Sequence, residues 1–496
     1  MAQAIASEFS VSRSYSARIG ELLRPPVTCQ GSTSAQDAAA LMDRERTPWL
    51  LVLQPHGWGV LTEQDLSARV LATGRSPGTP VGDLVTEPPA ELPSDRPAAD
   101  ALMFMLESGL RHVPVVDGHR RVLGVVSHTD LAGLAFRSPL TIRSAVQSAV
   151  DDEDVAAAGR ELPTAVQAMV GTGVDAMHAA RMVTLIIDAM VRRLIDLAVG
   201  RLGPPPVPWA WLSLGGAARC EQGIVTDQDH ALAFELAQAP LEEVDRYFLD
   251  LSTRVTSGLE AAGIPRCKAK VVAEERSLRR PIEHWVIAFE DWMDQPRPAA
   301  GRQASVLFDH RRTAGPLDAE NTFARVIGSA PQRPRFLRQL AKQAVAARPP
   351  VRAPAGRRID VKAEGLTPIV NLARSYALES GVTEPRTLDR LELSAASGRI
   401  DEQIRAGLSE AFRLLWRVRL ERHAACVSEG QVPDDVVDPR TLGPLTRAEL
   451  REAFRIVRHA QRALRWDHSI GPRVAVGRIR STSHGRGRRN QARWRE

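Results

Sequence analysis

The chain has 496 residues, 44% of them hydrophobic and 25% charged, an ordinary globular mixture whose length suggests about three domains. The formal net charge is +6, and the stretch after Trp466 carries eight arginines against two acids, which accounts for the whole excess. The near-neutral body therefore gives no charge argument for a nucleic-acid-binding core. The four scattered cysteines, with no Cys-x-x-Cys pair, exclude a disulfide framework and a zinc site. No run of about 18 apolar residues suggests a membrane span, and 1–18 lacks a signal-peptide core, so a cytoplasmic protein with reduced thiols is expected.

The chain opens on an internal repeat. Gly59-Val60-Leu61-Thr62-Glu63-Gln64-Asp65 returns as Gly124-Val125-Val126-Ser127-His128-Thr129-Asp130. Each copy is a short apolar strand, then a hydroxyl residue with an acid three places on, the pattern of a strand running into a capped helix. Helices are expected over 35–42 and 98–110, and strands over 48–53 and 112–116. The pattern resembles a tandem pair of CBS domains, a Bateman module, over about residues 17–137. In that family the Ser/Thr-x-x-Asp junction holds a nucleotide. The resemblance thus implies that Thr62 with Asp65, and Ser127 with Asp130, receive an adenine nucleotide, and that the module pairs two chains into a homodimer. As helix caps alone, the same residues need no ligand.

Between 140 and 200 strand signals are few. Val183, Ile186, Ile187, Met190, Val191, Leu194 and Ile195 recur at spacings of three and four, which predicts a long amphipathic connector helix. Asp188, Arg192, Arg193 and Asp196 fall on its outer face, with Asp188 and Arg192 as an ion pair one turn apart. Pro204-Pro205-Pro206 lies beyond its end.

The stretch richest in chemistry follows. An apolar strand over 209–214 runs into Gly215-Gly216, and ten residues later Asp227 and Asp229 open a second strand over 227–234. Alternation puts both acids on one face, with Leu232 and Phe234 on the other. Glycine lets the backbone approach a phosphate, and the N–H groups that follow can donate to it. Two carboxylates on one face can hold a divalent ion beside a polyphosphate. Helices are expected over 247–262 and 282–293, and strands over 267–272 and 305–308, the last running into Asp309 with Arg311 and Gly315 two and six places on.

These stretches, together with 202–211, resemble the CBS-linked nucleotidyltransferase domain of bacterial signal-transduction proteins. They are similar to the N-terminal catalytic domain of the PII-protein uridylyltransferases and resemble the DNA polymerase beta superfamily, over about residues 140–465. The resemblance implies a nucleotidyltransferase domain over 201–345. In it Asp227, Asp229 and Asp309 would be catalytic and bind two Mg²⁺ ions. Gly215, Gly216 and Arg219 would hold the nucleoside triphosphate, with Glu221 orienting Arg219. Cys220 stands where glycine is common and His230 where asparagine is common.

A helical domain is expected over 358–466. By the resemblance, Lys362 in Asp360-Val361-Lys362 reaches the triphosphate; read alone it is a surface lysine. The domain is the natural place to meet a protein acceptor. The segment 467–496 reads as a basic disordered tail, the one part suited to nucleic acid. The expected fold class is α/β plus α: a tandem CBS module, a connector over 140–200, a polymerase-beta-like nucleotidyltransferase domain and a C-terminal helical bundle. The expected activity is transfer of UMP or AMP from a nucleoside triphosphate to a hydroxyl, on a regulatory protein, under control of nucleotide-sensing CBS domains. The alternative is a non-catalytic nucleotide-binding regulator acting through partner contacts. No phosphohydrolase signature follows residue 358, so removal of the group by the same chain is not expected.

Overall fold

The computed structural model describes residues 18–470 apart from 24–25, 56, 86–90, 109, 111, 128–136, 237–239, 297–305 and 352–356. Asp130 and the basic tail beyond Ile470 lie outside the described residues.

The repeat builds two small three-stranded sheets. The first holds β1 (Thr28–Gln30), β2 (Trp49–Gln54) and β3 (Gly57–Thr62), with α1 (Ala35–Glu45) between β1 and β2. The second holds β4 (Leu92–Pro93), β5 (His112–Val116) and β6 (Val122–Ser127), with α2 (Ala98–Ser108) in the matching place. In both, the first pair is parallel and the second antiparallel. A helix closes each parallel connection, as chain geometry requires. The two halves differ in what they pack against. Ala38, Leu50, Val52 and Leu61 form a separate core. Leu102, Met105, Val113 and Val126 instead share one core with the connector.

The connector is α3 (Arg137–Ser148), α4 (Asp152–Arg160), α5 (Leu162–Gly171) and α6 (Ala176–Leu202). The long helix α6 starts on Asp175, whose carboxylate accepts from the Met177 and His178 amides. Its first turns meet α2, where His178 Nε2 lies 3.4 Å from Asp100 and Arg181 pairs with Glu107. Asp188 corrects the sequence reading. It is 1% exposed and bonds Arg311 at 2.9 Å, not Arg192, which donates to the Thr313 carbonyl. A charged residue on a helix reads as solvated unless its partner is visible, and this partner lies on a distant strand.

The next sheet has the order β10–β7–β8–β9, from β7 (Trp209–Leu214), β8 (His230–Phe234), β9 (Arg279–Pro281) and β10 (His310–Ala314). Only β8 and β9 run parallel. Both faces are covered, so its central strands are wholly buried. Trp209, Trp211, Leu232 and Phe234 point into the core shared with the connector and α7 (Leu241–Ala261). Ala210, Leu212, Ala231 and Ala233 point into a second core with Phe289 of α8 (Ile282–Asp294), Phe323 of α9 (Ala319–Ile327) and Phe336 of α10 (Pro334–Ala344). Gly315, at φ +92, ends β10 where an added Cβ would sit 2.2 Å from the Trp209 carbonyl oxygen.

Three strand expectations move. The strand after the acids starts at His230, leaving Asp227 and Asp229 just ahead of it. Residues 267–272 form a turn, closed by the Lys270 amide on the Cys267 carbonyl. The strand beside Asp309 follows it, because His310 pairs with Leu214 while Val306 and Leu307 are helical. A C-terminal bundle closes the chain: α11 (Thr367–Glu379), α12 (Thr387–Ala396), α13 (Glu402–Ser428) and α14 (Pro444–Asp467). No described helix is long and apolar enough to cross a membrane.

Candidate active site

The end of β7 makes the site. Gly215 takes φ +54, and its amide donates to the Asp309 carbonyl at 3.0 Å. A Cβ at Gly215 would come within 3.1 Å of Asp229 Oδ2, so glycine is what lets this carboxylate lie against the turn. The Leu214 amide bonds the Asp229 carbonyl, which extends the β7–β8 ladder to the acids and preserves their alternation. Gln228, between them, turns inward and donates to the Thr256 and Ile264 carbonyls. His230 is buried; the Ala273 amide donates to its Nδ1, so its Nε2–H faces Gln228. Burial holds it neutral, with its pKa lowered to about 3. Cys220 has φ +57, which explains why glycine is the usual residue there.

Among the described residues, Asp227, Asp229 and Cys267 bring ligand atoms within 4.8 Å of one another. Burial first, then the Asp227 charge, push the Asp229 carboxyl up to about 6; Cys267, Lys362 and Arg219 act the other way. The Cys267 thiol bonds Asp229, and burial and that carboxylate push it up to about 12. The cluster's two carboxylates, without the Cys267 thiol, fit one Mg²⁺, which takes oxygen ligands, keeps several waters and binds one or two carboxylates beside substrate phosphates.

Asp309, expected beside the two acids, is held by arginines instead of joining their cluster. It is fully buried, and its carboxylate accepts from Arg219 at 2.6 Å, from Arg374 Nε at 2.9 Å and from Arg390. Burial alone would raise it, but Arg374, Arg390 and Arg219 hold it well below the usual carboxylate range. Both oxygens bond guanidinium groups, so in this arrangement Asp309 anchors arginines and stands outside the cluster of Asp227, Asp229 and Cys267.

The helical domain supplies the opposite wall. A cleft of about 320 Å³ is lined by Gly215, Gly216, Arg219, Asp227 and Asp229 on one side. Lys362, Asn371, Arg374, Phe412, Trp416 and Arg419 line the other. The loop between turn and acids is tied across the cleft. Glu221 bonds Arg219 at 2.7 Å and the Thr387 amide at 2.9 Å. Arg419 donates to the Val225 carbonyl at 2.8 Å, while Asp435 takes both Arg419 and His423. Larger hollows of about 570 and 720 Å³ contain neither acid nor the glycine turn.

Thus the structure brings Gly215, Gly216, Arg219, Asp227, Asp229 and Lys362 to one cleft. Sequence reasoning missed Arg374, Arg390, Arg419 and Trp416. The signal was present in Arg374, which sits in an apolar helical stretch that leaves it no wet face. At the repeat, Thr62 and Asp65 form a reciprocal capping box, with Asp65 Oδ2 on the Thr62 amide at 3.0 Å. Ser127 ends β6 and is buried.

A glycine turn and paired carboxylates on a mixed sheet, roofed by a helical domain behind a CBS-type repeat, define a nucleotidyltransferase-like architecture. The family described as "Putative nucleotidyltransferase DUF294" matches residues 160–299, and "Putative nucleotidyltransferase substrate binding domain" matches 334–468. A CBS domain model matches 81–136. The chain belongs to the CBS-linked nucleotidyltransferase family that these domains define. An uncharacterized protein of Methanopyrus kandleri is 26% identical over 120 residues, 23% of this chain and 61% of that protein. The CBS domain-containing protein YhcV of Bacillus subtilis is 31% identical over 109 residues, 21% of this chain and 75% of that one. The chain thus spans about three fifths of the Methanopyrus protein's length. A CBS-domain protein of Pyrobaculum aerophilum complexed with AMP is 25% identical, covering 23% of this chain and 88% of that one, with a TM-score of 0.22.

Proposed function

We propose that the chain transfers a nucleoside monophosphate, UMP or AMP, from a nucleoside triphosphate to a hydroxyl group on a regulatory protein. The observation that carries this reading is the shared cleft, where the Gly215–Gly216 turn and two carboxylates face Arg374 and Lys362. Asp227 and Asp229 would hold Mg²⁺. A bound ion neutralises charge on the phosphates during in-line displacement. The turn amides, Arg219, Arg374 and Lys362 orient the triphosphate and offset its charge. The acceptor oxygen bonds to the α-phosphorus as the bond to the bridging oxygen breaks. Pyrophosphate leaves, and the hydroxyl proton passes to solvent. Thr62, Asp65 and Ser127 sit at the strand ends where an adenine nucleotide would report to the enzyme, in a module suited to pairing with a second copy.

One observation favours a second reading. With Asp309 bonded to arginines, the cleft itself presents two carboxylates, enough to bind a nucleotide without turning it over. Incubation with Mg²⁺, α-labelled triphosphates and host lysate separates the two. The transfer reading predicts label on a protein, lost in Asp227→Asn/Asp229→Asn. Nucleotide binding with no label on any acceptor would leave the non-catalytic regulator.

A further inference from the structure

The connector and the C-terminal bundle do not close on each other everywhere. Where α5 ends and α6 begins, they leave a hollow of about 570 Å³ against α13 and α14. Val170, Val174, Leu414, Leu420 and Ile456 give it an apolar floor. Around them stand five carboxylates, Asp175, Glu410, Glu421, Glu449 and Glu452, against the two guanidinium groups of Arg413 and Arg417. Pairing leaves the acidic excess in place. Arg417 is held by Glu449 at 2.8 Å, and Glu452 by Arg455, from outside the hollow, at 2.6 Å. Asp175, with His178 Nδ1 3.6 Å away, and Glu410 and Glu421 then face Arg413 alone. Glu410 and Glu421 are exposed on α13, and neither has an ion partner among the described residues.

An acidic rim over an apolar floor selects a cationic segment with some apolar side chains. The chain carries one. Residues 471–496 hold eight arginines and one acid, with Val474, Val476, Ile479 and Trp494 among them. They continue from the end of α14, the helix whose first half lines the hollow. At about 1.5 Å per helical residue, Ile456 lies roughly 20 Å back from Ile470. An extended chain covers that distance in about seven residues. That brings Arg478-Ile479-Arg480 to the rim, where charged and apolar groups alternate. A tether of this length holds the segment at an effective concentration of order millimolar, so even weak contacts fill the hollow.

We propose that residues 471–496 of the same chain dock in this hollow, with arginines on its carboxylates and an apolar side chain on its floor. The proposal stands independently of the nucleotide reading. Docked there, the segment ties α13 and α14 to the start of α6, the stretch of the connector that meets α2 of the repeat.

The test labels the carboxyl groups of the full chain with a carbodiimide and glycine ethyl ester, read residue by residue by mass spectrometry. Wild type is compared with Arg478→Gln/Arg480→Gln/Arg486→Gln/Arg488→Gln/Arg489→Gln, which changes nothing before Ile470. Glu410 and Glu421 should label roughly 2- to 10-fold faster in the variant, the protection expected of a weak tethered site. Glu242 and Glu243, exposed on α7, should label alike in both. High salt screens the ion pairs, so it should raise Glu410 and Glu421 labelling in wild type to the level of the variant. In the reciprocal experiment, Glu410→Lys/Glu421→Lys should speed trypsin cleavage after Arg478 and Arg480 by a similar factor. Equal labelling of wild type and variant, the result expected if the segment serves only nucleic acid, overturns the proposal, and so does cleavage indifferent to the hollow. Protection that disappears on dilution would assign the hollow to the segment of a second copy and overturn it too.

Discussion

Replacing Asp309 by asparagine keeps the shape of the side chain and removes the charge that three guanidinium groups share. Each arginine keeps something. Arg219 retains Glu221, Arg374 retains Asn371, and Arg390 retains the Glu384 and Phe308 carbonyls. Breaking a buried ion pair from one side costs about 3–5 kcal/mol. The surviving partners put Asp309→Asn near the lower end, about 3 kcal/mol. At roughly 2–4 °C per kcal/mol for a domain of this size, the unfolding midpoint should fall by about 6–12 °C. Thermal unfolding followed by circular dichroism and calorimetry measures this, with Asp227→Asn as the control that should leave the midpoint in place. Were Asp309→Asn to melt within about 2 °C of wild type while losing metal binding, Asp309 would be a ligand and the anchoring account would be wrong.

Cys220→Gly should be tolerated, because φ +57 suits glycine and costs other residues about 1 kcal/mol; a denaturant midpoint showing more than about 1 kcal/mol of loss contradicts this. Burial holds the His423 imidazole below its ordinary range despite its bond to Asp435. The unfolded chain takes up that proton first on acidification, so stability is lost as pH falls from about 6.5 through the folded value. His423→Gln should flatten that part of the profile between about pH 8 and about pH 5, and an unchanged slope would remove His423 as its source. Asp188→Asn leaves half-buried Arg311, which also bonds the Ala217 carbonyl in the glycine turn, without its charge partner. It should lower stability by about 2–4 kcal/mol and weaken triphosphate binding; loss of neither would show that the connector does not support the turn.

Elements with a strong apolar period were legible from the chain alone. The repeat halves, the connector helix, β7 and the C-terminal helices follow from spacing, because burial imposes spacing. The errors cluster where long-range polar contacts decide. Asp188 looked solvated because its partner is 123 residues away. Asp309 looked like a ligand because the local motif cannot reveal that Arg374 and Arg390 reach it across 65 and 81 residues. Cys267 was placed on a strand, whereas its turn lays the thiol against Asp229. The glycine turn and acids were found because their chemistry is local; of the wall facing them only Lys362 was anticipated, by resemblance, and Arg374, Arg419 and Trp416 were missed because an arginine or tryptophan in a helix does not show its distant partners.

The central claim is that Asp227 and Asp229, beside the glycine turn, form a metal-dependent nucleotide site closed by the helical domain. Equilibrium binding of a nucleoside triphosphate to the full chain, with and without Mg²⁺, tests it without knowledge of the acceptor. The account predicts binding that needs the ion and is lost in Asp227→Asn/Asp229→Asn while that variant stays folded. Equal binding by wild type and variant, indifferent to Mg²⁺, would contradict it.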